Sequence, residues 1–328
     1  MTICLDRGRR SVQKWVITIV IATTTATLDP LSATSRTCAE ESSVVTEPPE
    51  GTKADSEKSP EADGGPGAGR IRRGPLAPRI LSPEEREETE RLKALAARFG
   101  TDPTAIVGRM QISSQYADLP GQARFSDSVV RIDVPFRGNW IVRMDLPFIR
   151  WTDPNRPGTT SAAGLSDLAF TAGWRVLNTT ESALFLGVVS TYPTATNNGL
   201  GFGKYTAGPI LATSRFLPQW ESFLFVVFQH LLSVGGDPSR RGIQFTQGSA
   251  QINTIWAERW WTTVQGVWRV DWEGSAKTSM TAELEVGRNV IGPFGMFVRP
   301  GVGVWGQSGF GAYTWNIEAG VRYMFRSF

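Results

Sequence analysis

Histidine and cysteine are scarce in this 328-residue chain: His230 is the only histidine, and Cys4 and Cys38 are the only cysteines. Zinc sites and nucleophile–base pairs draw heavily on these residue types. On a strand, Ser233 would point away from His230, because residues three apart lie on opposite faces. We therefore expect no enzymatic activity, no catalytic residue, no metal site and no cofactor, and no disulfide beyond residue 39.

Near the N-terminus, no apolar run is long enough for a confident transmembrane helix. The stretch "WVITIVIATTTATL" at 15–28 follows the basic segment "DRGRRSVQK" and falls short of the ~20 apolar residues that a spanning helix needs. This order predicts a signal peptide over residues 1–39, and a single N-terminal membrane anchor is the alternative.

An excess of charge is missing from most of the chain. Residues 1–39 contain five basic and two acidic side chains, which account for the whole net charge of +3. Because the remainder is close to neutral, we expect no nucleic-acid partner. Residues 40–80 are poor in apolar side chains and rich in Pro, Gly, Ser and charge, which predicts a disordered linker.

From residue 106 to 328, apolar residues recur at every second position, the pattern of β-strands. We expect about twelve strands, at 106–116, 126–135, 139–150, 164–176, 182–191, 204–216, 219–232, 243–256, 260–272, 278–288, 293–304 and 312–325. Most span ~10–14 residues, whereas globular strands usually have ~5–6. A tilted strand that crosses a bilayer needs ~9–11 residues.

The segment "WWTTVQGVWRVDW" at 260–272 shows the two faces of one such strand. One face is apolar and aromatic, at Trp260, Val264, Trp268, Val270 and Trp272. The other is polar and ends in Arg269 and Asp271, with apolar exceptions at Trp261 and Val267. A soluble sandwich would also alternate in this way, so alternation alone does not distinguish the two fold classes.

Aromatic side chains near the strand ends favour a membrane wall, since interfacial girdles of outer-membrane barrels are aromatic. They are Trp140, Phe148, Trp260, Trp272, Tyr313, Tyr323 and Phe325. On this basis Trp260, Trp268 and Trp272 are predicted to face lipid. The segment "QWESFLFVVFQHLL" at 219–232 is apolar on both faces and cannot be oriented from sequence.

The connections alternate in length, as they do in outer-membrane barrels. Those after even-numbered strands are short, while several after odd-numbered strands are longer and rich in Gly, Pro and Asn, at 151–164, 192–203 and 234–242. The predicted fold is all-β: a closed antiparallel transmembrane β-barrel of about 12 strands over residues 106–328, preceded by a disordered linker and a short helix. The terminal Phe328 is typical of barrels inserted by the barrel assembly machinery.

A short amphipathic helix is predicted within residues 81–105. Ser82 and Glu85 have the spacing of a capping box, and apolar residues follow at helical spacing, at Leu92, Leu95 and Phe99. The sequence leaves three roles open: a plug docked in the barrel mouth, a docking segment for a periplasmic partner, or a solvated helix.

Charged side chains take the inward phase of several strands. They are Arg143, Asp145, Asp167, Arg175, Arg269, Asp271, Glu283, Glu285, Glu318 and Arg322. As lumen-lining candidates they have two interpretations. They could form a network of ion pairs that holds the barrel in shape, or a subset could line a polar pathway and set its selectivity.

Three short motifs recur in one known family. They are Gly164, Asp167 and Leu168; Pro193 and Thr194; and Gly199, Gly201 and Gly203. With the paired "RIDVPF" and "RMDLPF" segments, they resemble the MetA-pathway phenol-degradation family of bacterial outer-membrane proteins, over about residues 106–325. Ala195 departs from that pattern, in which a glycine often follows Pro-Thr. The resemblance implies a closed barrel that passes small molecules, including aromatic or apolar ones, and it supplies no catalytic residues.

The expected function is therefore an outer-membrane channel or transporter for small molecules in a Gram-negative-type bacterium. The alternative is a structural barrel that anchors its N-terminal segment in the periplasm. The expected partners are outer-membrane lipid, a small-molecule solute and, during biogenesis, the barrel assembly machinery.

The predicted barrel implies an outer-membrane location. The mature protein should fractionate with outer membranes and migrate faster on gels when unboiled, because closed barrels resist detergent unless heated. Recovery in the soluble periplasm after gentle lysis would contradict the membrane assignment.

Overall fold

The structure is a computed structural model that describes residues 81–136, 138–306 and 311–325. The expected signal peptide at 1–39, the expected linker at 40–80 and the terminal Phe328 lie outside the described residues. Within the described ranges, no helix has the length and apolar content to cross a membrane.

The described residues form one α-helix, one short 3-10 helix and thirteen strands. Helix α1 spans Pro83–Phe99, and the 3-10 helix spans Pro218–Trp220. The strands are β1 (Gly108–Asp118), β2 (Arg124–Phe136), β3 (Trp140–Asp153), β4 (Ala162–Gly164), β5 (Leu168–Asn178), β6 (Ser182–Tyr192), β7 (Lys204–Leu217), β8 (Ser222–Gly236), β9 (Gln244–Trp256), β10 (Trp260–Asp271), β11 (Lys277–Ile291), β12 (Phe294–Trp305) and β13 (Trp315–Phe325).

These strands close into one antiparallel barrel. Each long strand pairs with its neighbours in sequence, and β1 pairs with β13 along its whole length, from Gly108 opposite Phe325 to Asp118 opposite Trp315. The three residues of β4 pair with the end of β3, and β5 pairs with its beginning, so β4 and β5 share one position in the wall. The described strands therefore make a twelve-stranded barrel, and the predicted fold class is confirmed.

The barrel has two unlike rims. The short-turn rim carries the turns β2–β3, β5–β6, β7–β8, β9–β10 and β11–β12, together with the start of β1 and the end of β13. The long-loop rim carries the other connections, the longest of which include the segments between β3 and β4 and between β6 and β7. The predicted asymmetry of connections is present.

Alternation along each strand separates an outer surface from a lumen. On β10, Val264 is 47% exposed and Trp268 37% exposed on the outer surface, while Gln265 lines an interior cavity. Trp260 and Trp272 are also exposed. The predicted outward orientation of the three tryptophans is therefore confirmed.

Strand β8 is apolar on both faces, because its inward residues pack in the cluster that buries α1 and its outward residues lie on the apolar outer surface of the barrel. Phe223 and Phe225 point inward and are buried, in the same apolar cluster as residues of α1. Leu224 and Phe228 point outward and are exposed. The segment that sequence could not orient thus has its odd-numbered residues in the lumen.

Two aromatic residues are placed differently from the prediction. Tyr313 is buried, and its hydroxyl donates to Glu283 Oε1 at 2.7 Å. It precedes the first residue of β13, so strand periodicity does not extend to it. Phe148 is the extra residue of a β-bulge, because Ser128 pairs with Ile149 and Val129 pairs with Pro147. The bulge reverses the alternation of faces, so Ile149 is exposed on the outer surface instead of Phe148.

Helix α1 begins as the sequence predicts. Ser82 Oγ accepts a hydrogen bond from the Glu85 backbone N–H at 3.2 Å, and Glu85 Oε2 accepts one from the Ser82 backbone N–H at 3.0 Å. This is the predicted capping box. Gly100 ends the helix in the left-handed conformation, with φ of 65°.

One face of α1 is buried inside the barrel near the short-turn rim. Its buried apolar side chains are Leu92, Ala96 and Phe99. They share a cluster with inward residues of the wall, among them Phe216, Phe223, Ile255 and Trp261. The opposite face of the helix is exposed. The helix therefore lies in the mouth of the barrel at the short-turn rim. One face packs against the wall, and the opposite face is exposed to solvent.

A pair of neighbouring residues tests the orientation of the wall. Val264→Arg should destabilise the barrel by about 2–4 kcal/mol, because it places a charge on the lipid face near the middle of the strand. Gln265→Arg, at the same depth on the lumen face, should have a far smaller effect. Urea unfolding in lipid vesicles measures both, and equal effects would contradict the orientation.

Candidate functional site

The lumen contains a cavity of about 290 Å³. The segment that follows α1, at Gly100, Thr101 and Pro103, forms part of its boundary. Side chains can fill the interior of an eight-stranded barrel, whereas wider barrels leave space. The cavity is the space that the wall and α1 leave unfilled.

Three kinds of surface line this cavity. The apolar wall, on β3 and β6–β8, consists of Ile141, Phe185, Ile210, Ala212, Phe225 and Val227. The amide wall, on β8–β10, consists of Gln229, Gln247, Ser249, Gln251, Thr263 and Gln265. The arginine wall, on β1–β3 and β11–β13, consists of Arg109, Gln111, Arg131, Arg143, Glu285, Arg299 and Arg322.

The first part of the arginine wall, here the hairpin cluster, comprises Arg109, Arg131, Asp133, Arg143 and Asp145. Arg131 makes two hydrogen bonds to Asp145, at 2.5 and 3.0 Å. Asp133 accepts from Arg143 Nε at 2.7 Å and lies 2.6 Å from Arg109 Nη2. Two Arg-x-Asp motifs, mirrored across the β2–β3 turn, place each arginine opposite an aspartate.

The second part, here the Glu285 cluster, is built around one buried carboxylate. Glu285 accepts hydrogen bonds from Arg299, from Arg322 Nη2 at 2.8 Å and from Trp261 Nε1 at 2.6 Å. Arg299 also donates to Glu318 at 2.9 Å. Buried carboxylates are stable when such donors satisfy them. The cluster therefore links the neighbouring strands β10, β11, β12 and β13 on their lumen face.

Six of the ten predicted lumen residues belong to these two clusters or touch them. Arg143 and Asp145 lie in the hairpin cluster, and Glu285, Glu318 and Arg322 in the Glu285 cluster. Glu283 lies 3.9 Å from Arg299. Of the ten, Arg143, Glu285 and Arg322 line the cavity itself.

The other four lie away from the clusters. Asp271 pairs with Arg241 at 2.7 Å near the long-loop rim, and Arg269 donates to Gln247 at 2.7 Å. Asp167 accepts from the backbone N–H groups of two loop residues, Ala195 and Phe202, so it shapes a loop. Arg175 lies near the short-turn rim, 3.4 Å from Asn139 Oδ1.

The prediction missed five central residues: Arg109, Arg131, Asp133, Trp261 and Arg299. A signal for two of them was present, since the Arg-x-Asp spacing of 131–133 repeats that of 143–145 at equal distances from the turn. Trp261 gave no usable signal, because it interrupts the polar face of β10. It does so because its ring stacks on Phe99 of α1, with centroids 5.6 Å apart.

Polar contacts also attach α1 to the short-turn rim. Arg91 lies 2.9 Å from Glu221 and 3.5 Å from Glu258, and Lys93 donates to the Thr179 carbonyl at 2.7 Å. Arg91, Glu221 and Glu258 are about half exposed or more, and exposed pairs contribute little, about 0–1 kcal/mol each. The apolar face of the helix is therefore its main attachment.

The chain after α1 forms a buried turn at Asp102, and Thr104 of this turn contacts the barrel wall. Asp102 accepts hydrogen bonds from the backbone N–H and the hydroxyl of Thr104, at 2.9 and 2.6 Å. Thr104 Oγ1 also lies 2.9 Å from Ser214 Oγ of β7. Burial raises the pKa of Asp102, and the Thr104 hydrogen bonds oppose that rise.

Comparison with known proteins identifies the fold. No protein-family model matches the chain, and no curated protein matches it. The COG4313 outer membrane channel from Pseudomonas putida F1 is 13% identical with a TM-score of 0.54, over 67% of this chain and 96% of that chain. The NanC porin (7%, TM-score 0.47, 66% and 98%) and the KdgM porin (8%, TM-score 0.44, 66% and 99%) are less similar. The chain thus has a fold found in bacterial outer-membrane channels.

The Glu285 cluster yields a stability prediction. Glu285→Gln should cost about 3–5 kcal/mol, because it leaves two buried guanidinium groups without their shared carboxylate. The control Asp118→Asn breaks a partly exposed pair with Arg124 at 3.9 Å and should cost at most about 1 kcal/mol. Urea unfolding followed by tryptophan fluorescence tests this, and similar midpoints for the two variants would contradict it.

Proposed function

We propose that the protein is an outer-membrane channel for small molecules. In this proposal the short-turn rim faces the periplasm, and α1 partly covers the mouth of the barrel at that rim. The observation that carries this proposal is the lumenal cavity, which is bounded by polar, charged and apolar walls and lies next to the helix. Polar linings and charged side chains are the means by which channels select solutes. The outer-membrane location rests on the fold and on the exposed apolar outer surface.

The composition of the walls supports small solutes of mixed polarity. The amide and arginine walls offer hydrogen-bond partners that replace water, while the apolar wall offers a surface for hydrocarbon or aromatic groups. Passage of small aromatic or apolar compounds also agrees with the sequence resemblance to the MetA-pathway phenol-degradation family. Membership of that family is part of the proposal.

The attachment of α1 suits a plug that can be displaced. Leu92, Ala96 and Phe99 are its main buried apolar contacts, and burial of a large apolar side chain contributes about 1.5–3 kcal/mol. Isolated helices of this length are marginal in water. The wall therefore stabilises α1, and a modest loss of apolar contact should release it.

Matched substitutions on the two faces of α1 test the plug. Leu92→Asp puts a charge into the buried face and should raise single-channel conductance in planar bilayers, since the helix can no longer dock. Ala94→Asp adds the same charge on the exposed face and should leave conductance unchanged. Unboiled gel mobility would show that both barrels are folded.

Two results would contradict the proposal. Equal conductance of Leu92→Asp, Ala94→Asp and the native chain would exclude a plug. Absence of conductance in all three would exclude a channel and favour the alternative, an anchoring barrel that holds its N-terminal segment in the periplasm.

A further inference from the structure

We infer that the cavity selects small organic monoanions with an apolar body, such as aromatic carboxylates, and this inference rests on the proposed channel function. The relevant observations are the charge of the hairpin cluster, the recessed position of the carboxylates and the adjoining apolar wall.

The hairpin cluster carries an uncompensated positive charge. It contains three arginines, Arg109, Arg131 and Arg143, but only two aspartates. Asp133 accepts hydrogen bonds from Arg109 and Arg143, and Asp145 accepts from Arg131. Among the described residues, Nη1 of Arg131 and Nη1 of Arg143 have no hydrogen-bond partner. Both side chains line the cavity, so these donors are available to a solute.

Carboxylates are recessed behind this surface. Five arginines line the cavity, whereas Glu285 is its only lining carboxylate among the described residues, and Glu285 already accepts from two arginines and a tryptophan. Glu283 and Glu318 give the Glu285 cluster an opposite net charge, but neither lines the cavity. A solute therefore meets guanidinium groups first. Guanidinium groups favour carboxylates because their paired N–H donors match the two oxygens.

The apolar wall begins beside these arginines. Ile141 precedes Arg143 by two positions, so both side chains lie on the inner face of β3, and both line the cavity. Phe185 and Val227 continue the apolar surface on β6 and β8. A carboxylate at Arg131 and Arg143 would leave its hydrocarbon body against this surface. Small inorganic anions would gain nothing from the apolar wall, and cations would be repelled by the arginines.

The cavity volume limits the size of the solute. About 290 Å³ lies at the lower end of the ~300–1,000 Å³ usual for small-molecule pockets. A single ring with one carboxylate is small enough for this space, whereas a folded chain of several sugar units is not.

Three probes separate charge from apolar character. Uptake into proteoliposomes of the full chain, corrected for protein-free vesicles, is measured for benzoate, for benzamidinium as a cation of similar size, and for acetate as an anion without a ring. We expect benzoate to enter about tenfold faster than benzamidinium, because the guanidinium groups that line the cavity attract the anion and repel the cation. Benzoate should also compete with acetate entry.

Arg143→Gln is the decisive variant. It leaves two arginines and two aspartates in the hairpin cluster, and Asp133 keeps Arg109 as its partner, so no carboxylate is orphaned. The benzoate-to-benzamidinium ratio should fall about three- to tenfold. The control Arg156→Gln removes an exposed charge in the β3–β4 loop and should leave the ratio unchanged.

A variant of the apolar wall tests the other half of the inference. Val227→Ser should weaken competition by benzoate by a factor at least about threefold larger than any change in acetate uptake, since only the ring contacts that wall. Unboiled gel mobility confirms that each variant is folded.

The outcomes distinguish this inference from the channel function. Equal uptake of benzoate and benzamidinium, with no effect of Arg143→Gln, would overturn the monoanion class while leaving a channel in place. Uptake of no probe above protein-free vesicles, by either the native chain or Leu92→Asp, would overturn the channel function and the inference with it.

Discussion

Twelve strands enclose more space than their own inward side chains can fill, and the rest of the structure follows from that constraint. The interior is occupied near the short-turn rim by α1, and two clusters of ion pairs lie along the wall on β1–β3 and on β11–β13. The wall residues beside α1 differ in type from those at the ion-pair clusters. Phe223 and Trp261 provide aromatic surface where the helix docks, while β1–β3 and β11–β13 carry the charged clusters. The unfilled remainder is the cavity.

The two charged clusters stabilise the barrel in unequal ways. Glu285 accepts from three donors on three strands, so its loss would remove one hydrogen-bond partner from all three at once. Asp133 has two arginines, so either one can be lost while the carboxylate keeps a partner. The surplus arginine is therefore less important for stability than its partners and more available to a solute. Structural and selective roles can coexist because they fall on different members of the same network.

Sequence predicted the features set by local periodicity. Strand positions, the outward faces of Trp260 and Trp268, and the capping box of α1 all follow from spacing within a single element. Features that depend on contact between distant elements were not predicted. The ring of Trp261 looks misplaced until Phe99 is seen stacked on it, and the bulge at Phe148, which turns Arg150 toward Asp127, leaves no mark in a single sequence. Partners across strands were missed for the same reason.

The apolar wall links the plug to the solute. Ile141, Phe185, Ala212 and Phe225 line the cavity and also belong to the cluster that buries α1. The surface that holds the helix is thus continuous with the surface offered to an apolar body. Displacement of α1 would uncover more of that surface and widen the mouth in the same step. A solute that binds the uncovered wall would also stabilise the barrel with α1 displaced, because it would contact the apolar wall residues that the helix no longer covers.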